Sequence, residues 1–263
     1  MSSIRNSCAL LSVEVSTSVS SANVSMSMKK MRPISFWHRL LDLISPRLCV
    51  VCHERLTVSE DIICSKCNFH LPRTGFQRNP YENVMAKLFW GQIPIQRATA
   101  FFYYEPHAET ANIFYELKYK NHPEIGEVIG RMMAKEIANS GFFDGIDGII
   151  PIPLAKKRLR QRGYNQSMEI AKGVSDITGL PIYKHIISRT VFESSQTTKS
   201  RWERNQNVEK VFELIDGSAI SGKHFLVIDD VVTTGATIIA FTQELMKAGP
   251  IQVSVLSIGF AKY

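Results

Sequence analysis

No apolar run in this 263-residue chain approaches the roughly 18 to 20 residues that a membrane-crossing helix needs, which excludes that class. A secretory signal is lacking too. The one early apolar cluster, Cys8-Ala9-Leu10-Leu11, is followed at once by Ser12 and soon by Glu14, too short for an h-region. The expected location is the cytoplasm. Cysteine is sparse: of five, four form two tight pairs and Cys8 stands apart near the N-terminus. In a reducing compartment such pairs point to metal before disulfide. Acid is short relative to base, with 24 aspartates and glutamates against 31 lysines and arginines, a net charge of +7 and a pI near 9.2. That balance favours phosphate-bearing partners, nucleic acid or phosphorylated small molecules, without choosing between them. Low complexity is absent as well, since 44% hydrophobic, 21% charged and 10% aromatic residues describe a folded chain. The length suits one domain of ordinary size plus a smaller module.

Residues 1 to 33 are expected to be a disordered leader or to reflect a start placed too far upstream. Ten serines fall in the first thirty residues with little apolar periodicity, and Met26, Met28 and Met31 each offer a later start. Residues 34 to 75 predict a small module. It opens with an amphipathic helix, Phe36, Trp37, Leu40, Leu41 and Ile44 recurring at helical spacing before Pro46 stops the run, and continues as a cysteine-rich stretch. Residues 75 to 94 read as a linker carrying a helical turn or two. From 95 to 263, strand-like segments at 98–104, 148–151, 211–215, 225–228 and 251–258 alternate with helical patterns at 111–119, 125–137, 165–177 and 237–247. This alternation predicts an α/β domain with a parallel sheet and right-handed crossovers, its ligand lying beyond the carboxyl ends of the strands.

Cys49-x-x-Cys52 and Cys64-x-x-Cys67 are separated by eleven residues. Four thiolates at this spacing close tetrahedrally on one Zn²⁺, each pair forming a knuckle. A redox pair is the rival reading, but a thioredoxin-type motif needs only one pair at a strand-to-helix junction. Because four thiolates leave no open position, the metal is expected to be structural. It would supply much of the module's folding energy, ~10 kcal/mol or more in comparable peptides. His53 and His70 flank the site and are expected to be exposed loop residues.

The most informative stretch runs from Phe225 to Thr237, FLVIDDVVTTGAT. An apolar strand ends in Asp229 and Asp230, and a Thr- and Gly-rich turn leads into a helix. The turn and first helical amides present N–H groups at a positive dipole end, the threonine hydroxyls add donors, and a phosphate monoester fits there. Gly235 permits close backbone approach. The carboxylates suit a pair of neighbouring ribose hydroxyls, so the whole describes ribose 5-phosphate. A plain turn with capping threonines is the simpler reading, but two carboxylates straight after a buried strand are costly without partners.

Five basic residues fall among the seven from Lys156 to Arg162, with no acid. Following a strand end, this segment is expected to be an ordered loop on the same rim as the phosphate turn, and a clamp that stabilises charge on a pyrophosphate leaving group. Its candidate residues are Leu154, Ala155, Lys156, Lys157, Arg158 and Arg160. A second polar stretch runs from Arg189 to Asn205 without apolar periodicity, long enough to be functional or disordered. Lys118-Tyr119-Lys120 ends a helix, where its charges suit the helix dipole as readily as a ligand.

The stretch Val227 to Thr237 resembles the signature that binds phosphoribosyl pyrophosphate (PRPP) in type I phosphoribosyltransferases. That resemblance implies that Asp229 and Asp230 hold the ribose hydroxyls, with Val231, Val232, Thr233, Thr234, Gly235, Ala236 and Thr237 around the 5-phosphate and Mg²⁺ arriving with PRPP. It also implies a mobile lid before the signature strand, for which Lys199, Arg201 and Arg204 are candidates; Asp229, Asp230, Lys199 and Arg201 are the candidate catalytic residues. Together with the Leu-x-x-Pro before the cysteines, Leu117-Lys118-Tyr119-Lys120, and Pro151-Ile152-Pro153 followed by Arg162-Gly163-Tyr164-Asn165-Gln166, the chain resembles the ComF family of competence proteins. That family joins a zinc-ribbon-like module to a Rossmann-like type I phosphoribosyltransferase domain and is linked to uptake of single-stranded DNA. The transferase half also resembles glutamine amidophosphoribosyltransferases, but without a glutaminase domain, which counts against ammonia transfer from glutamine. Three expectations follow: a phosphoribosyltransferase acting in transformation, a non-catalytic protein that senses PRPP or binds single-stranded DNA through Tyr164 or Trp202, or a nucleotide-salvage transferase.

Overall fold

The strand sequences that are apolar at nearly every position, around Val227 and Val255, demand cover on both faces. The computed structural model describes residues 46–190 and 211–262, all within one compact unit, Ser45–Tyr263. The expected leader, the helix expected from Phe36, and the segment carrying Lys199, Arg201, Trp202 and Arg204 lie outside the described residues.

Four strands form a parallel sheet in the order β1 (Ile95–Tyr104), β6 (Gln252–Ala261), β5 (His224–Val232), β2 (Gly148–Pro151). Side-chain alternation divides the core in two. Leu226 and Ile228 of β5 with Leu256 and Ile258 of β6 face one apolar cluster, while Phe225, Val227, Val253 and Val255 face the other. The first face is covered by α3 (Ala111–Tyr119), α4 (Pro123–Ile137) and α6 (Gln166–Thr178), and by the cysteine module with its helix α1 (Ser65–His70). The second is covered by α7 (Ala236–Leu245) and the segment around α2 (Val84–Lys87). Helices α4 and α6 cross in backbone contact: a Cβ at Gly173 would lie 2.0 Å from the Glu127 carbonyl oxygen, and one at Gly130 2.3 Å from that of Ile170. Only glycine fits at this crossing.

Four sequence expectations change. Residues 75 to 94 are not a detached linker, because Phe76, Met85, Ala86, Phe89 and Ile93 are buried in the second cluster. The basic stretch is helical rather than a loop: α5 spans Lys156–Arg162. Lys, Arg, Leu and Gln are all strong helix formers, and Gly163, at φ 79°, ends the run in the left-handed conformation. The strand near Val211, β4 (Phe212–Leu214), stays outside the main sheet and pairs antiparallel with β3 (Ile187–Arg189). Last, β5 does not stop at Ile228 but continues to Val232, since its longer partner β6 pairs with it to the end.

Candidate functional site

The extra length of β5 creates the site. Its neighbour β2 ends at Pro151 opposite Ile228, so Asp229 to Val232 project past β2 while β6 still holds them, Asp229 beside Ser257 and Val232 beside Phe260. The acid pair therefore lies inside a strand with one open edge. The Asp229 Oδ1 accepts the Asp230 N–H at 2.9 Å and the Ser167 hydroxyl at 3.3 Å. The Asp230 Oδ1 accepts the Val231 N–H at 2.7 Å, and its Oδ2 meets the Lys118 Nζ, also at 2.7 Å. Burial pushes the Asp229 carboxyl up to about 7, the Asp230 charge adds to this, and the Asp230 N–H, Lys118 and Ser167 oppose it. The partners demanded by two carboxylates at a strand end are thus Lys118 and Ser167, neither of which the local sequence marks.

Beyond Val232, Thr233 and Thr234 are exposed and Gly235 adopts φ 77° as the N-cap of α7. No side chain of its own caps that helix; the Thr234 Oγ1 makes only a 3.5 Å contact with the Ala236 N–H. The first-turn N–H groups keep capacity for an anion, aided by the helix dipole. A Cβ at Gly235 would meet the buried Phe89 ring at 2.8 Å, so the segment expected to be a linker supports the floor of this turn.

A cavity of about 670 Å³ opens between the end of α3 and α5, lined by Lys118, Tyr119, Asn121 and, on the α5 side, Arg158, Arg160 and Arg162 with Gln161 and Gly163. Four cations line it and no acid does. Of the clamp residues expected from sequence, only Arg158 and Arg160 reach it, while Lys156 and Lys157 lie exposed and Leu154 and Ala155 half-buried. The ordering expected of the Gly-Tyr-Asn-Gln stretch is present as hydrogen bonds. Tyr164 donates its hydroxyl to the Leu117 carbonyl at 2.6 Å, and Asn165 donates to that of Ile152 at 2.9 Å. These bonds tie α3 to the α5–α6 junction and bring Lys118 beside Arg158. They also correct the expectation for Tyr164, whose ring packs on the core instead of offering a stacking face. Arg189, at the end of β3, feels the same charges: its pKa is lowered by burial first and then by Arg158, with Asp229 opposing.

Two of the exposed aromatics sit together on α3. Tyr115 and Tyr119 are 51% and 66% exposed, with ring centroids 5.4 Å apart. Lys120 Nζ lies 5.7 Å from the first ring and the Arg162 guanidinium 5.5 Å from the second.

In the cysteine module the four sulfurs of Cys49, Cys52, Cys64 and Cys67 all lie within 4.8 Å of one another, and none is in a disulfide. Cys52 and Cys64 are 3.8 Å apart, the separation expected for ligands about 2.3 Å from a central tetrahedral zinc. The Cys64 N–H points at the Cys49 sulfur and the Cys67 N–H at that of Cys64, each at 3.4 Å, as knuckle geometry requires. Burial works against a thiolate at Cys49, but the N–H groups of Cys52, Cys64 and Val51 outweigh it and bring its pKa down to about 7. At Cys67, burial and the neighbouring sulfurs push it up, the strain of crowded thiolates that a cation relieves. Glu60 braces the loop between the pairs. It accepts the N–H groups of Thr57 and Ser65, which hold its carboxyl down to about 2. His53 and His70 are exposed and outside the sulfur cluster, but His70 ends helix α1 rather than lying in a loop. The donor set fits a metal ion such as zinc.

A parallel sheet with an acid pair on its central strand, an uncapped threonine turn and a four-cysteine module defines a phosphoribosyltransferase-domain protein with a zinc-ribbon-like appendage. Residues 160–260 match the family described as "Phosphoribosyl transferase domain". The DNA utilization protein YhgH of Shigella flexneri is 26% identical over 223 residues, covering 81% of this chain and 96% of its own. Competence protein F of Haemophilus influenzae is 30% identical over 110 residues, 41% of this chain and 48% of that protein. Competence protein ComFC of Bacillus subtilis is 31% identical over 101 residues, 38% and 39% of the two chains. These similarities support a ComF-family protein. Among the described residues no helix is long and apolar enough to cross a membrane.

Proposed function

We propose that this protein binds PRPP or a related ribose 5-phosphate ligand in the cytoplasm and serves the uptake of transforming DNA. The observation that carries the reading is the adjacency of the Asp229–Asp230 pair, on the open edge of β5, to the uncapped turn that begins α7. Two acceptors for a sugar diol stand next to donors for a phosphate. In this reading Val231 to Thr237 surround the 5-phosphate, and Arg158 and Arg160, joined by Lys118 and Arg162, receive the pyrophosphate. Lys199 and Arg201 remain lid candidates. Mg²⁺ arrives on the ligand's oxygens, as this ion prefers, and zinc on the four cysteines is structural. The DNA context rests on the relatives named for competence and DNA utilization.

Isothermal titration with PRPP and Mg²⁺ tests this. The double variant Asp229→Asn/Asp230→Asn is expected to lose roughly 100-fold or more in affinity, the scale of two hydrogen bonds to charged groups. Absence of PRPP binding by the unaltered protein would end the reading. Pyrophosphate release with a nucleobase, an amine or ammonia marks a transferase, whereas binding without release marks a PRPP sensor. A second reading, direct contact with single-stranded DNA, is favoured by the exposed Tyr115–Tyr119 pair beside Lys120 and Arg162. Exposed aromatic faces within a basic surface suit unpaired bases and their phosphates.

A further inference from the structure

Lys118 belongs to two places at once. Its ammonium forms an ion pair with the Asp230 Oδ2 at 2.7 Å, and it also lines the cation-rich cavity with Arg158, Arg160 and Arg162. The pair is largely shielded from water, with side-chain exposures of 24% for Lys118 and 17% for Asp230. Each oxygen of Asp230 already has one partner, Oδ1 the Val231 N–H and Oδ2 the Lys118 ammonium. A sugar hydroxyl that donates to Oδ2 shares that oxygen with Lys118, weakening the ion pair, or displaces it. Once displaced, the ammonium faces three guanidinium groups across a cavity that offers no carboxylate. An anion in that cavity gives it a new charged partner.

We infer that Lys118 is a positioning residue that couples the two halves of the proposed site: the sugar diol is admitted at Asp230 as a polyphosphate anion enters the cavity and takes over the lysine. This rests on the ribose-phosphate reading above and adds to it an order of preference among ligands. A ligand carrying both diol and anion, or the two supplied together, releases the contact, whereas a ribose phosphate alone has to break it. Coupling between sites typically spans about 5- to 150-fold, and one partly buried ion pair places this case at roughly tenfold.

The experiment is calorimetric titration of ribose 5-phosphate with and without saturating inorganic pyrophosphate, at fixed Mg²⁺, on the full chain. For the unaltered protein, pyrophosphate is expected to tighten ribose 5-phosphate binding roughly tenfold. In Lys118→Met, ribose 5-phosphate alone is expected to bind more tightly than to the unaltered protein, because nothing occupies the Asp230 Oδ2, and the pyrophosphate enhancement is expected to vanish. Lys118→Arg, which keeps the charge, is expected to retain the enhancement. A merely structural lysine would weaken every titration together. If ribose 5-phosphate binds but pyrophosphate leaves its affinity unchanged, or if the enhancement survives in Lys118→Met, the coupling is overturned and the ribose site stands. If ribose 5-phosphate binds under neither condition, the ribose site falls, and the coupling with it.

Discussion

Asp229 stands where the proposed ligand binding and folding make opposite demands. As the diol acceptor proposed above it should be ionised, yet burial and the adjacent Asp230 raise its pKa to about 7. In an unfolded chain an aspartate titrates near ~3.9. Between those values the folded protein holds a proton that the unfolded chain has lost, so this carboxyl's contribution to stability is present at low pH and lost as pH rises through about 7. Asp229→Asn removes that dependence. Thermal melts should place the variant above the unaltered protein at about pH 8, with the gap narrowing as pH falls toward ~4. Identical melts at the higher pH would show that the ionised carboxyl costs nothing. The acid pair and the Thr-Gly turn were legible in sequence because they are contiguous and each residue type has a narrow chemical use. Lys118 was legible only as a basic residue at a helix end, and Ser167 and Arg189 not as partners of the acid pair, because these roles arise only when α3, α6 and β3 converge on the end of β5.

At the scale of elements, α3 carries three duties on one short helix. Ile113, Phe114 and Leu117 are buried, Lys118 turns to Asp230, and Tyr115 and Tyr119, four residues apart, lie tilted against each other and exposed. The exposed pair gives the single-stranded DNA reading its test. Fluorescence anisotropy with a labelled oligothymidylate should show Tyr115→Ala/Tyr119→Ala weakened by roughly 10-fold, given about 1–3 kcal/mol per stacked base. The salt dependence should stay as it was, since no phosphate contact is removed, whereas Arg160→Ala/Arg162→Ala should flatten it. Unchanged affinity in the tyrosine variant would remove α3 from any DNA surface. Helix α5 teaches a related lesson. Its position after a strand end and its flanking motifs read as an ordered loop, but helix propensity decided its conformation and so which of its cations line the cavity.

At the scale of the molecule, the cysteine module is not a bead on a string. Cys49, Val50, Val51, Leu56, Ile63 and Leu71 belong to the same apolar cluster as Phe102, Ile113, Leu117 and Ile129. Polar contacts reinforce the join: Asn112 donates to the Val51 carbonyl at 3.1 Å, and Arg73 bridges to Glu136 of α4 at 2.9 Å. Metal binding here should therefore stabilise the α/β domain as well as the module. One zinc per chain is expected by elemental analysis, and removal by a strong chelator should lower the melting temperature of the whole domain by several degrees, of order ΔΔG/ΔSm for a chain of this size. Full zinc loss with an unmoved domain transition would show that the two parts fold independently.

Residue order alone determined the parallel α/β class, the cysteine tetrad, and the acid pair followed by a Thr-Gly turn. In each of these the chemistry is written in neighbours or in a fixed short spacing, where local geometry leaves few alternatives. Tertiary structure decided the rest. It extended β5 past β2 so that the acids lie on an open edge, folded residues 75–94 under Gly235, and turned a basic stretch into one wall of a cavity whose other wall is α3. These outcomes depend on which surfaces must be buried and which charges then meet, and no pattern along the chain encodes the distance between Lys118 and Asp230.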